Sequence, residues 1–251
     1  MKKTTYHISE RSDYQLIELL TIDSTNNYAA TIAPEQLVSE FTVIMAYNQT
    51  NGKGQRGNNW ETEAGENLTV SVITSNLGVR IDEQFVISMV VALSIHDLLT
   101  LHIKAPVFVK WPNDIYVNEN KIGGILIENS ISQAAINKSI IGLGLNVNQT
   151  NFPSVLKATS MKNETGKPVA LLDILDQWMI CLKSRLSNLN FMEVKADYLN
   201  KLLGRGISEQ YIYKDNIIEA TITDVNKQGK LVLITAGGKR IESDLKEITR
   251  L

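Results

Sequence analysis

The chain holds one cysteine in 251 residues. Cys181 therefore has no internal disulfide partner, and a metal site built from several thiolates is excluded. Histidine is nearly as scarce: the chain has only His7, His96 and His102, and none falls in the motifs described below. No sign of charge dominates. Lys plus Arg number 25 against 27 Asp plus Glu, a formal net charge of −2, which argues against general nucleic-acid binding and against a basic membrane-facing patch. Long apolar runs are also missing. The most apolar stretch, Phe85 to Ile95, covers 11 residues and carries Ser88 and Ser94, whereas a membrane span needs roughly 20. The N-terminus, Met1-Lys2-Lys3-Thr4-Thr5-Tyr6-His7, runs into Glu10, Arg11 and Asp13 instead of an apolar core, so it does not read as a signal peptide. The expected setting is soluble and cytoplasmic, with no nucleic acid and no membrane as partners.

What is present is ordinary globular material, 43% apolar and 21% charged, enough for one full core with a small appendage. Leu16 to Ile22 reads as a strand. The polar run Asp23-Ser24-Thr25-Asn26-Asn27 then supplies preferred helix N-caps before Tyr28 to Ala33. Phe41 to Tyr47 and Asn67 to Thr74 read as strands, and Asp82 to Leu101 as a mostly buried helix. Strands are expected at 106–109, 115–117, 122–128 and 139–147, a long surface loop over Gln149 to Lys167, and helices over about 168–187 and 191–203. Past Gly204-Arg205-Gly206 the pattern changes to short alternating segments. The turn pairs Asp215-Asn216, Gln228-Gly229 and Gly237-Gly238 separate them, which is the grammar of a small β-barrel.

The chemistry concentrates between the third strand and the fourth. Gly52-Lys53-Gly54-Gln55-Arg56-Gly57 interleaves three glycines with two cations. Backbone without Cβ can approach a ligand closely and offer its N–H groups to an anion, while Lys53 and Arg56 add positive charge. The run matches G-x-G-x-x-G, but a dinucleotide fingerprint needs a helix at those glycines and an acidic residue about 20 positions on. Here a strand follows and position 77 is Leu, so that reading fails. A Walker loop fails as well, because no Gly-Lys-Ser/Thr opens a helix. A strand–loop–strand anion cradle remains, beside the plainer alternative of a solvated hairpin.

A second segment, Val107-Phe108-Val109-Lys110-Trp111-Pro112-Asn113-Asp114, ends an apolar strand on a lysine. A fixed, partly desolvated cation suits charge developing on a phosphoryl group; taken alone, a snorkelling lysine is the simpler reading. Lys121-Ile122-Gly123-Gly124-Ile125-Leu126-Ile127-Glu128 and Gly142-Leu143-Gly144-Leu145-Asn146-Val147-Asn148 place glycines inside strands. Such glycines weaken a strand unless something approaches the backbone closely.

Together with Ser24-Thr25-Asn26 and Gln49 to Trp60, these segments resemble biotin protein ligases in order and spacing, over about residues 16 to 200. The resemblance implies an α+β fold. A mixed β-sheet catalytic domain packed with helices, of the class II synthetase-like biotin–lipoate ligase type, is expected over 1–204, and a small SH3-like β-barrel over 205–251. It implies an ATP-dependent ligase that makes biotinyl-5′-AMP with Mg²⁺ and passes biotin to a lysine of a biotin carrier protein, that of acetyl-CoA carboxylase being the usual one. It also allows a homodimer, although no interface is identified. Carried over by position, Ser24, Thr25, Asn26, Gln49, Gly52, Lys53, Gly54, Gln55, Lys110, Gly123 and Gly124 resemble the biotin contacts. Arg56, Trp60, Asn113 and Asn146 fall on the nucleotide side. Lys110 resembles the catalytic lysine, with Lys53 and Arg56 as supporting cations; no side-chain ligand for the metal is identified.

Two departures matter. Many members carry arginines where this chain has Lys53 and Gln55, which leaves open whether Gln55 or Arg56 meets the phosphate. Only about 23 residues precede Ser24, too few for the helix-turn-helix domain of members that repress transcription. A lipoate or octanoate ligase of the same fold is the nearest rival, but its usual Gly-Gly-Gly run with a nearby histidine is missing. A non-enzymatic ligand-binding module would explain the glycine loop without explaining Lys110.

Overall fold

The computed structural model describes residues 6–34, 38–75, 77–132 and 135–251, with the backbone alone of Arg56. An eight-stranded mixed sheet runs in the order β1-β2-β3-β4-β8-β7-β6-β5. Its strands are β1 (Tyr6–Glu10), β2 (Gln15–Ile22), β3 (Thr42–Gln49), β4 (Leu68–Ser75), β5 (Val107–Lys110), β6 (Asp114–Val117), β7 (Asn120–Ser132) and β8 (Ala135–Leu145). Only β2 and β3 pair in parallel; the connection between them is the helix α1 (Thr25–Ile32). A parallel pair needs such a crossover, and the helix-capping run after β2 supplies its start.

The sheet buries both faces. On one, α1 packs over β3, β4 and β8 and closes a small core of Ile17, Leu19, Ala29, Ile44, Ala46, Ile73 and Ile140. On the other lies α2 (Phe85–His102), with α4 (Leu171–Leu186) and α5 (Phe191–Asn200) against it. Phe85–His102 is long and apolar enough to cross a membrane, yet 67% of it is buried inside the protein as the central helix of this layer. An all-round apolar helix belongs in such a core. Trp178 of α4 is fully buried there and donates its Nε1–H to Ser94 Oγ at 3.0 Å. Each Leu or Ile so buried contributes about 1.5–3 kcal/mol before entropy is counted.

Two expectations change, and one strand, β1, was not expected at all. β1 lies almost wholly at the surface, so no burial pattern marks it in the sequence. The stretch expected as a surface loop, Gln149 to Lys167, contains α3 (Met161–Thr165), capped by Ser160 Oγ accepting from Asn163 N; Gln149, Thr159, Ser160 and Met161 are buried. The helix expected from Asp82 begins at Phe85, because Ile81–Glu83 form a separate short turn.

Residues past 207 form a second, antiparallel sheet, consistent with an SH3-like domain. Its order is β12-β11-β10-β9-β13, from β9 (Ser208–Tyr213), β10 (Asn216–Val225), β11 (Leu231–Thr235), β12 (Arg240–Ser243) and β13 (Ile248–Arg250). The β9–β10 hairpin turns on Lys214 and Asp215, both at positive φ, one residue before the expected Asp-Asn pair. The two sheets share one apolar core that includes Tyr211, Ile222, Leu231 and Ile248. The indole of Trp111 donates to Gly229 O across the junction at 2.7 Å.

Candidate active site

A cavity of about 340 Å³ opens between the α1 side of the main sheet, the glycine loop and the C-terminal sheet. Its first wall starts at α1. Ser24 is the N-cap by backbone geometry, but the cap bond comes from elsewhere: Gln49 Oε1, at the end of the parallel neighbour β3, accepts from Thr25 N at 2.8 Å. The same oxygen lies 3.2 Å from Thr25 Oγ1. Ser71 Oγ on β4 sits 2.8 Å from Thr25 Oγ1 and 2.6 Å from Asn26 Oδ1. Asn26 Nδ2 donates to Glu128 Oε2 at 2.8 Å. Thr25, Asn26 and Ser71 are all buried, so this is a connected network of hydroxyls and amides whose geometry is fixed before any ligand arrives. Gly142 makes room for it: a Cβ there would stand 2.4 Å from Asn26 Oδ1.

The second wall is cationic. Two residues along β7 and β8 from the Leu126–Gly142 pair, Gly124 faces Gly144, and Asp114 pairs with Gly124 on the other side. Trp60 lies flat on this glycine pair, and a Cβ on Gly144 would fall 2.3 Å from its ring. Lys121 Nζ stands 5.5 Å from the Trp60 ring centroid and 2.6 Å from Asp114 Oδ1. Lys110 is half-buried. Its Nζ donates to Tyr116 Oη at 3.1 Å and lies 4.7 Å over that ring, with no carboxylate in ion-pair reach among the described residues. Pro112 follows Trp111 through a cis peptide, and Asn113 makes two bonds with Ile125: its side-chain Nδ2 donates to Ile125 O at 2.7 Å and its main-chain carbonyl accepts from Ile125 N at 2.9 Å.

The glycine loop folds on itself as a narrow hairpin, with Trp60 N donating to Gly52 O and Gly54 N to Asn58 O. Gln55 Oε1 and Trp60 Nε1 are buried with no hydrogen-bond partner among the described residues. The C-terminal sheet closes the far side with Tyr211, Thr249 and Arg250, among others. Burial and then the Glu209 carboxylate push the Tyr211 phenol up to about 12, so it stays protonated; its hydroxyl donates to Glu209.

Most residues singled out in the sequence meet here. Ser24, Thr25, Asn26 and Gln49 line the first wall. Lys53, Gly54, Gln55 and Trp60 line the cavity from the loop, and Lys110, Asn113 and Gly124 from the strands. Gly52 and Gly123 are buried behind the wall instead. Asn146 does not line the cavity, because its amide donates to Thr159 O at 3.0 Å. The Arg56 side chain lies outside the described residues. Lys121, Ser71, Glu128 and the C-terminal wall were missed. Lys121 and Glu128 open and close the quoted Gly-Gly strand, as Asp114 closes the lysine segment, whereas Ser71 and the C-terminal wall come from distant segments. Among the described residues no group of three or more His, Cys, Asp or Glu could hold a metal ion.

Residues 19–146, just over half of the chain, match the model of the Biotin/lipoate A/B protein ligase family. The chain belongs to that family. The biotin–[acetyl-CoA-carboxylase] ligase of Paracoccus denitrificans is 28% identical over 235 residues, covering 89% of this chain and 95% of that one. The bifunctional ligase/repressor BirA of Bacillus spizizenii is 26% identical over 230 residues, covering 88% and 70%. Among solved structures, the biotin protein ligase of Aquifex aeolicus in complex with biotin and ATP superposes with a TM-score of 0.76 at 26% identity. It covers 94% of this chain and 98% of that one. The shared fold therefore extends through the C-terminal sheet as well as the matched segment.

Proposed function

We infer that the chain is an ATP-dependent biotin protein ligase. The observation that carries this is its likeness, over 94% of its length, to a ligase solved with biotin and ATP. The cavity's chemistry agrees. The wall of Thr25, Asn26 and Gln49, with Ser71 buried behind it, is uncharged and suits the neutral ring system of biotin, whereas Lys53, Lys110 and Lys121 suit the carboxylate and phosphates.

In the first half-reaction a biotin carboxylate oxygen attacks the α-phosphorus of ATP. The bond to the bridging oxygen breaks, and pyrophosphate leaves with that electron pair. Two anions must meet, and fixed ammonium groups offset their repulsion more as charge develops than before it. We assign Lys110 and Lys121 to this task, with Lys53, Gly54 and Gln55 covering the adenylate and excluding water. Trp60 and Asn113 are placed on the nucleotide side. Mg²⁺ fits as an ion carried mainly by phosphate oxygens, since Asp114 is the only carboxylate among the lining residues, and it would neutralise charge on pyrophosphate. In the second half-reaction the neutral amine of a carrier lysine attacks the acyl carbon, AMP departs, and the amine loses a proton.

The acceptor proposed is a biotin carrier protein, in a cytoplasmic setting, with division into a ligase unit over 1–204 and an SH3-like unit over 205–251. ATP–pyrophosphate exchange tests the reading. Exchange is expected with biotin and not with lipoate; exchange with lipoate alone, or with neither acid, would overturn it.

A further inference from the structure

Glu128 is exposed on β7 and does not line the cavity, yet the buried network of the first wall ends on it. Asn26 Nδ2 faces only acceptors, Glu128 Oε2 at 2.8 Å and Leu126 O at 3.4 Å. That fixes which way the amide lies. Asn26 Oδ1, which can only accept, is turned to Ser71 Oγ at 2.6 Å. The single hydrogen of the Ser71 hydroxyl is therefore spent on Asn26. The 2.8 Å contact between Ser71 Oγ and Thr25 Oγ1 then takes its hydrogen from Thr25. Each bond points outward, from Thr25 to Ser71, to Asn26, to Glu128. Thr25 Oγ1 is left with lone pairs alone, 3.2 Å from Gln49 Oε1, an acceptor already engaged by Thr25 N. Thr25 and Gln49 both line the cavity.

We propose that Glu128 is a positioning residue that sets specificity: it fixes the polarity of this chain, so that Thr25 and Gln49 present paired acceptors to a ligand N–H such as a cyclic urea carries. A donor in place of the carboxylate would turn the Asn26 amide over. Ser71 would then accept from Asn26 Nδ2 and donate to Thr25 Oγ1, and Thr25 would spend its own hydrogen on Gln49 Oε1. The lone pairs facing the cavity would be occupied, although no residue lining it had changed. With the chain as it stands, a ring without N–H groups leaves two acceptors unpaired and is rejected on that account.

The proposal rests on the ligase reading, and its test reads binding apart from exchange. Glu128→Lys puts a donor where the acceptor stood. It is expected to raise the biotin Kd about tenfold by calorimetry, with kcat of exchange at saturating biotin within about twofold. Glu128→Gln keeps an oxygen that can accept from Asn26 and should bind biotin within about twofold of the parent. Dethiobiotin keeps both ring N–H groups and lacks the sulfur, so Glu128→Lys should weaken it as much as biotin. In a Ser71→Ala background the chain is already cut, and Glu128→Lys should cost less than about twofold further. Equal losses in Glu128→Gln and Glu128→Lys would make the charge the cause and overturn the proposal. An unchanged Kd for either ligand in Glu128→Lys, or additive losses with Ser71→Ala, would overturn it too. Should Ser71→Ala fail to fold, the two variants at the exposed position 128 decide the case. A parent protein with no biotin-dependent exchange would fail earlier and sink the ligase reading instead.

Discussion

The two walls of the cavity stand two residues apart along β7 and β8, yet they are built on opposite principles. Around Gly142 the groups are the buried hydroxyls and amide of Thr25, Ser71 and Asn26, bonded to each other and, at the edge, to the exposed Glu128 carboxylate. Around Gly124 and Gly144 the groups are long, half-exposed cations held by rings and one carboxylate. The first arrangement fixes shape at low charge and suits selection of a neutral ring. The second concentrates positive charge and suits a reacting phosphate. The difference separates recognition from chemistry within one cavity, and it should be separable by mutation.

The largest expected effect falls on the cationic wall. Lys110→Ala and Lys121→Ala should each lower kcat for pyrophosphate exchange by about 10²–10³, the usual loss for one fixed charge-stabilising group. Biotin affinity measured by calorimetry should stay within a few-fold. Parallel loss of both would erase the proposed division.

A smaller effect is expected on the neutral wall. Thr25→Val removes the hydroxyl between Gln49 and Ser71, leaving buried polar groups short of a partner at a cost of about 1–3 kcal/mol. Biotin Kd should rise about tenfold or more while kcat at saturating biotin is kept. A fall in kcat with Kd unchanged would contradict the assignment.

The smallest kinetic effect belongs outside the cavity. Arg185 bridges α2 and α5, with Nε 2.6 Å from Asp97 Oδ2 and Nη1 2.6 Å from Asp197 Oδ2. Burial pushes the Asp97 carboxyl up, but the neighbouring His96 ring, 3.8 Å away, and the hydrogen bonds from Arg185 outweigh it and hold the carboxyl down at about 2. Asp97 therefore stabilises the fold above the ordinary carboxylate value, and that stability is lost as pH falls from about 4 towards 2. Arg185→Met should leave exchange kinetics unchanged and lower stability at pH 7 by about 1–2 kcal/mol, because the pair is partly solvated. It should also flatten the decline of Tm below pH 4; an equally steep decline would remove Asp97 as its source.

The contiguous parts of the site were legible in the sequence. Ser24-Thr25-Asn26, the loop from Gly52 to Gly57 and Lys110 each carry a local pattern whose chemistry can be read without a fold. The helices and most strands followed from apolar periodicity. What escaped notice was set by register. Ser71 is one polar residue on an alternating strand, and only the packing of α1 over β4 brings it to Asn26. Asp114 reaches Lys121 because β6 and β7 shift register at Ile115 and Tyr116. Asn146 shares a motif with wall residues, and its amide is bonded to Thr159 O, a partner no local pattern announces. β1 is too exposed to show a pattern, and α3 is only five residues long.

One measurement bears most directly on the central claim. The protein is titrated with biotin and ATP under native conditions, and the bound species is identified by mass. The account predicts biotinyl-5′-AMP retained at about one per chain, lost in Lys110→Ala and Lys121→Ala while free biotin still binds. Biotin and ATP recovered unreacted from the parent protein at saturation would contradict it.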